Sequence, residues 1–462
     1  MYRIKELDEL LEYRGEDLLE AAIETANWLE DSEIISDQGL KWKQDPESDR
    51  ISDASQAFND KSLYAGSAGI AFFLVRLYLI TKDRKYIDKA VLAADYLINT
   101  YEKDAFEISK NLPGIGKGLP TGYYAGNTGI AYFVSVLYQA LKENNDSLHI
   151  EDIEKYKNFV LKVADDIVDA QKNGTWTETV GILGDGGLLL LLAYLYEVTG
   201  EKKYLEAAEA NGKYFIDNAE EINDGYRWYT TDSIAFGLGP NGYFPNFEYG
   251  AAGNAYLLAI LYKLTDQPIY LDYAKGALRY VESVSVKKGK GILIPYNVPY
   301  KNNLFYLGNC HGPAGDARAY KLIYELTGEE HYKEYTFKLA EGILNMGAPR
   351  VRSDGYWNTD CICCGTAGML EFFIGTDKFF NIDEYQEVAQ EAGEILIGDS
   401  LSIDHKRTWY SAWTRTLPKD VDTYTGFYHG SSGCASALLT LYNESHDKIK
   451  LPSLLEDYWV TK

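Results

Sequence analysis

Four of the chain's five cysteines fall in two short segments. One reads Asn309-Cys310-His311-Gly312-Pro313-Ala314-Gly315, the other Cys361-Ile362-Cys363-Cys364-Gly365-Thr366-Ala367-Gly368. Each segment carries a Gly-x-x-Gly close behind its cysteine. Soft thiolates gathered near one another select zinc. Cys310, Cys363 and Cys364 are therefore expected to hold one Zn2+ ion and leave a fourth position open. Cys361 is the alternative fourth donor, which would close the site, but chelation by all of Cys-x-Cys-Cys is strained. Cys434 reads as a small buried residue.

Positioning these cysteines needs a repeat, and the chain has one. Gly-x-x-Gly recurs at 66–69, 126–129, 184–187, 250–253, 312–315, 365–368 and 430–433. In six of the seven copies a tyrosine lies nine residues after the second glycine. The spacing of about sixty residues accommodates two helices per repeat. The run after each motif, such as Ile130–Tyr138, is apolar almost all round and suits a helix buried on every side. Between motifs, 84–99, 156–171, 203–218, 269–284, 331–345 and 383–397 read as amphipathic helices. Thr-Lys-Asp or Thr-Gly-Glu joints, as at 81–83 and 327–329, suit a helix stop followed by a new start. The pattern predicts an all-α fold, an α/α toroid of seven inner and seven outer helices, over residues 1–462 as one domain. Inner helices in parallel would bring their Gly-x-x-Gly ends, and the thiols beside them, to one end of the ring. Helix N-termini there lower a thiol's pKa.

Charge and composition narrow the partners. A net charge of −24 over 462 residues speaks against nucleic acid or an anionic membrane surface. No window approaches eighteen uninterrupted apolar residues, so no membrane span is expected. The charged start Met1-Tyr2-Arg3-Ile4-Lys5-Glu6 lacks an apolar secretory core, and sparse, clustered cysteines fit a reducing cytoplasm.

With these motifs in view, the chain resembles the lanthionine synthetase C-like family over roughly residues 17–442. Cys310-His311-Gly312-Pro313-Ala314-Gly315 looks like the family's Trp-Cys-Tyr/His-Gly-x-Pro-Gly element. Cys363-Cys364-Gly365 matches its Cys-His-Gly element, with Cys in the place of His. The resemblance implies a stand-alone, zinc-dependent cyclase whose partner is a dehydrated precursor peptide, with a separate dehydratase as a further partner. A peptide cysteine thiol would add to dehydroalanine or dehydrobutyrine to give a thioether. The family's histidine slot in the fourth repeat holds Tyr249, preceded by Glu248. Its third-repeat aspartate is absent, with Glu178 and Asp185 the nearest carboxylates. Its arginine before the first zinc cysteine is Tyr306.

The acid/base candidates are then His311, His429, Tyr249 and Tyr306. His311 adjoins a ligand, and His429 fills the pre-glycine slot of the seventh repeat. His149, His331 and His446 lie in charged, exposed-looking segments, and His405 lies in a long loop. Asp316 and Arg318 are expected to pair locally or to orient the site. Long segments preceding the motifs carry aromatics suited to gripping a peptide, among them Tyr226, Trp228, Phe236, Phe244, Tyr296, Tyr300, Trp409 and Trp413. Residues 443–462 either dock back or stay disordered. Two other readings remain open: addition of glutathione or another small thiol to dehydrated peptides, and a non-catalytic zinc-stabilised peptide scaffold. Glycosidase toroids are six-fold and pair carboxylates at the centre, which seven motifs disfavour.

Overall fold

The computed structural model describes residues 2–3, 15–48, 58–112, 114–144, 150–172, 176–230, 242–299, 304–446 and 448–460. His149, Phe236 and Tyr300 lie outside the described residues. The helices are α1 (Gly15–Glu30), α2 (Ser67–Thr81), α3 (Arg84–Asn99), α4 (Ala105–Lys110), α5 (Asn127–Glu143), α6 (Ile150–Lys172), α7 (Asp185–Thr199) and α8 (Lys202–Asp217). After them come α9 (Ala251–Thr265), α10 (Pro268–Val284), α11 (Pro313–Thr327), α12 (Glu330–Asn345), α13 (Thr366–Phe380), α14 (Asp383–Asp399) and α15 (Ser431–Ser445).

A motif helix follows each Gly-x-x-Gly: α2, α5, α7, α9, α11, α13 and α15. In α2 every residue from Ser67 to Tyr78 is buried, as a helix apolar almost all round requires, and the one charged residue in it, Arg76, donates to the Ser436 and Thr440 hydroxyls of α15. Their partners bury one stripe only. In α8 the buried residues are Tyr204, Ala207, Ala208, Asn211, Gly212 and Phe215, a spacing of three and four. The sequence pattern supplied six such outer helices. The seventh is α1, which packs on α15.

The repeated threonine joint has a physical cause. Thr81, Thr199, Thr265 and Thr327 each donate a hydroxyl hydrogen bond to the carbonyl four residues back, at 2.6–2.9 Å. Each also accepts the backbone N–H two residues on, at 3.2–3.3 Å. Between them, Lys82, Gly200, Asp266 and Gly328 take left-handed φ values of 55–73°. The N–H of each returns to the carbonyl of Tyr78, Tyr196, Tyr262 or Tyr324. One helix is thus closed and the next begun within three residues.

Two compact units compose the chain. The first comprises 1–103, 124–163 and 349–452; the second comprises 104–123, 164–348 and 453–462. In the first, the motif helices pack in the order α13, α15, α2, α5, with α14, α1 and α3 outside them. In the second the order is α7, α9, α11, backed by α8, α10 and α12. The segments read as loops contain short antiparallel hairpins, including 220–222 with 225–227 and 401–403 with 406–408. Asn223 and Asp224, and likewise Asp404 and His405, both have positive φ, the signature of a tight hairpin turn.

The second glycine of the motif is fixed by close approach of backbone. A Cβ on Gly315 would meet the Asn309 carbonyl, and one on Gly433 would meet the Phe427 carbonyl. The six-residue loop before each helix therefore presses on that helix's first turn, which is what aims the residues preceding the first glycine.

Candidate metal centre

In the first unit the segment 357–364 is held from below by a buried guanidinium. Arg352 is 2% exposed. It donates to Asp360 Oδ1 at 2.5 Å, to Asp399 Oδ2 at 3.2 Å and to the Trp357 carbonyl at 3.0 Å, and also reaches the Thr359 carbonyl. Asp360 in turn accepts from the Thr366 hydroxyl at 3.1 Å, tying the loop to the start of α13. Above this anchor, the Cys363 N–H donates to the Tyr428 carbonyl at 2.8 Å. Cys364 Sγ lies 3.4 Å from Cys363 Sγ, and neither forms a disulfide.

Cys363 and Cys364 open onto a cavity of about 20 Å3, room for roughly one water-sized group. Tyr64, Trp357, Trp413 and His429 also line it. His429 is 4% exposed. Its ring lies 5.4 Å from Tyr64, 5.6 Å from Trp413 and 4.8 Å from Tyr424. Neither ring nitrogen makes a full hydrogen bond among the described residues. Burial pushes its pKa down to about 3, the Tyr64 backbone opposing. At that value the imidazole is uncharged at pH 7. Cys361 lines the same cavity; its sulfur accepts from the Thr359 hydroxyl at 3.2 Å, and burial, then Cys363, pushes its thiol up to about 11. The Cys434 thiol donates to the Asp360 carbonyl at 3.2 Å.

In the second unit, Cys310 is set by two neighbouring motif loops. The Glu248 N–H donates to the Cys310 carbonyl at 3.0 Å, and the Leu183 N–H to the Glu248 carbonyl at 3.1 Å. Glu248, Cys310 and His311 are all buried, and each offers a donor atom within 4.8 Å of the others. This is a set to which a metal ion can bind. His311 is ringed by Tyr296 at 4.5 Å, Tyr249 at 4.7 Å, and Phe244 and Tyr306 at 5.7 Å. Burial lowers its pKa to about 3. Three of the acid/base candidates (His311, Tyr249 and Tyr306) therefore cluster in this unit with Cys310, while His429 stands with Cys363 and Cys364 in the first.

The expected local pairing of Asp316 with Arg318 is replaced by other partners. Arg318 grips Asp457 through Nε at 2.6 Å and Nη2 at 3.2 Å, and donates to Asn309 Oδ1 at 3.3 Å. Asp316 is fully buried beside Asn246, and burial raises its pKa well above the carboxylate range. The open question about residues 443–462 is answered for 453–460, which dock. Trp459 and Leu455 are fully buried, and Tyr256 donates to the Glu456 carbonyl at 2.7 Å. Sequence reasoning missed Arg352, which lies in a polar stretch, Arg350-Val351-Arg352-Ser353-Asp354, that carries no signal of burial.

Asp185 proves to be a loop staple. Its carboxyl accepts from the Thr177 hydroxyl and from the N–H groups of Thr177 and Glu178. Burial nonetheless raises its pKa to about 7, hydrogen bonds from the Thr177 hydroxyl and from the Thr177, Glu178 and Thr179 backbone opposing. Tyr214, whose hydroxyl donates to the Glu178 carbonyl, feels its charge. Because the folded value lies above the unfolded 3.8, the folded state holds the proton longer. Stability contributed by this group is full below pH 4 and is lost as pH rises to about 7. Asp185→Asn is expected to flatten that decline, by an amount on the order of a few kcal/mol, in urea unfolding at pH 4.5 and 7.5. An unchanged slope contradicts it.

The model of the family described as "Lanthionine synthetase C-like protein" matches residues 57–456. No curated protein matches the chain. Among solved structures, nisin cyclase is similar with a TM-score of 0.62 at 16% identity, covering 87% of this chain and 93% of that one. That likeness shows the fold: an all-α, α/α toroid. A GH76A α-1,6-mannanase from Salegentibacter sp. HEL1_6 is similar with a TM-score of 0.45 at 13% identity, covering 93% and 98%. A D-mannose isomerase is similar with a TM-score of 0.45 at 14% identity, covering 94% and 98%.

Proposed function

The chain belongs to the lanthionine synthetase C-like family, and from that premise we propose that it is a zinc-dependent lanthionine cyclase-like enzyme closing thioether rings in a dehydrated precursor peptide. The observation that carries the reading is the pair of adjacent thiols Cys363 and Cys364, neither in a disulfide, on a water-sized cavity walled by aromatic rings and His429.

In this reading Cys310, Cys363 and Cys364 together hold one zinc ion. The donor chemistry fits: all three thiols are free of disulfides, and orphaned buried imidazoles stand beside both segments. Bound zinc would lower the pKa of a substrate thiol and hold it as thiolate. Trp357, Trp413 and Tyr64 exclude water around the reacting sulfur and grip the peptide chain. The thiolate sulfur bonds to the β-carbon of dehydroalanine or dehydrobutyrine, and the C=C electron pair moves toward the amide oxygen. His429, kept neutral by burial, donates its N–H to that oxygen as charge develops. The α-carbon then takes a proton equivalent to the one the thiol gave up, so the step is a net addition. His311, Tyr249 and Tyr306 line the Cys310 side and serve as positioning and proton-relay groups. We place the chain as one domain acting downstream of a separate dehydratase, in the cytoplasm.

The test uses a dehydrated peptide with one free cysteine. The reading expects unchanged peptide mass and loss of one alkylatable thiol per turnover. Mass gain only when glutathione is added would assign the small-thiol reaction instead. Binding with the thiol count unchanged would leave a non-catalytic scaffold.

A further inference from the structure

Inside the second unit, the docked segment 453–460 reaches the residue beside Cys310 through a single side chain. The segment has anchors of its own. Leu455 and Trp459 are fully buried. The Leu455 N–H donates to the Tyr123 hydroxyl at 3.0 Å, the Tyr256 hydroxyl donates to the Glu456 carbonyl at 2.7 Å, and Tyr458 meets the Tyr194 ring edge-on at 5.1 Å. Apolar burial and these bonds seat it without a buried charge. Yet Arg318 on α11 is only 5% exposed, and taking a guanidinium out of water is costly. Its Nε and Nη2 hold the Asp457 carboxylate at 2.6 and 3.2 Å, its Nη1 donates to Asn309 Oδ1 at 3.3 Å, and its centre lies 5.0 Å from the Phe247 ring. A guanidinium is a rigid planar fork, so a carboxylate gripping one edge fixes where the remaining N–H groups point.

Asn309 stands directly before Cys310, in the tryptophan position of the element the chain resembles. It is pinned to α11 at two points about one turn apart. Its carbonyl lies where a Cβ on Gly315 would strike it, and its side chain is held by Arg318. On the other side, the Cys310 carbonyl is held by the Glu248 N–H at 3.0 Å.

We propose that Asp457, from the far end of the sequence, is a positioning residue for Cys310 and acts through Arg318 and Asn309. This rests on the cyclase reading above, in which Cys310 holds zinc. The carboxylate orients the fork, the fork holds the Asn309 amide oxygen, and the peptide leading into Cys310 is fixed before metal arrives. Ordering that is already in place does not have to be supplied by the metal-binding energy.

The test is zinc affinity, measured by chelator competition on the full chain with folding checked by circular dichroism, beside the urea midpoint. Asp457→Asn and Asn309→Ala cut the link at opposite ends, and each is expected to lower zinc affinity about tenfold. The double variant should lose no more than either alone, because both changes break one link. Asp457→Glu, which keeps the carboxylate, should recover part of the loss. Tyr256→Phe removes a bond to the same segment without touching the link, so it should lower the urea midpoint and leave zinc affinity at the wild-type value. Wild-type affinity in Asp457→Asn or Asn309→Ala overturns the proposal. An equal loss in Tyr256→Phe also overturns it, since the segment is then a structural prop alone. The underlying reading fails separately, if Cys310→Ala binds zinc as tightly as the wild type.

Discussion

Replacing Cys310 by alanine is expected to abolish ring closure and to reduce bound zinc from one per chain to a trace. A four-ligand structural zinc site releases about 10–16 kcal/mol, so each donor is worth roughly 3 kcal/mol, a hundredfold or more in affinity. Losing one of only three protein thiolates also removes charge that keeps the bound substrate sulfur nucleophilic. The fold should tolerate the change, because a cysteine-to-alanine substitution removes one atom. The matched control is Cys434→Ala. That thiol is equally buried but donates to the Asp360 carbonyl inside the first unit, so zinc content and ring closure should stay at wild-type levels. Elemental analysis after gel filtration, with an alkylation assay on the peptide, decides it. Equal zinc in Cys310→Ala and wild type contradicts the proposed site.

The second large effect is on stability. Arg352 places a charge at 2% exposure and neutralises Asp360, whose side chain is 4% exposed. Removing one partner of such a pair leaves the other charged and dry, at a cost of about 3–5 kcal/mol. Arg352→Met fills the volume, so the loss measured by urea unfolding reports the stranded carboxylate and the freed Trp357 and Thr359 carbonyls. Adding Asp360→Asn should recover part of it, since the two changes share one interaction. A single substitution costing under about 1 kcal/mol, as a surface pair would, contradicts this account. Arg352 also orders the loop carrying Cys363 and Cys364, so zinc affinity should fall with stability.

The repeat was legible because its cause is local. Each Gly-x-x-Gly starts a helix, a Cβ on the second glycine would strike its own loop at Gly69, Gly187, Gly253, Gly315 and Gly433, and each threonine joint closes a helix through bonds spanning four residues. Helix positions followed, and so did the tight cysteine spacing. What escaped was set by contacts distant in sequence. α1 pairs with α15 at the far end of the chain, and nothing near residues 15–30 announces it. The hairpins escaped too, although Asn223-Asp224-Gly225 is a recognisable turn signal. Arg318 sits two residues from Asp316, which suggested a local pair, yet its partner Asp457 comes from 139 residues away. The buried imidazoles likewise read as titrating groups until their aromatic surroundings were visible. Sequence spacing gives the type of a side chain and its helical face; desolvation is a property of everything packed around it.

Zinc K-edge X-ray absorption on the purified full chain tests the central claim most directly, because it counts sulfur atoms on the metal. Three sulfurs at about 2.3 Å and one lighter donor at about 2.0 Å are expected, with a fourth sulfur replacing the lighter atom when substrate cysteine is added. Four sulfurs in the substrate-free protein, or a metal shell without sulfur, would contradict it.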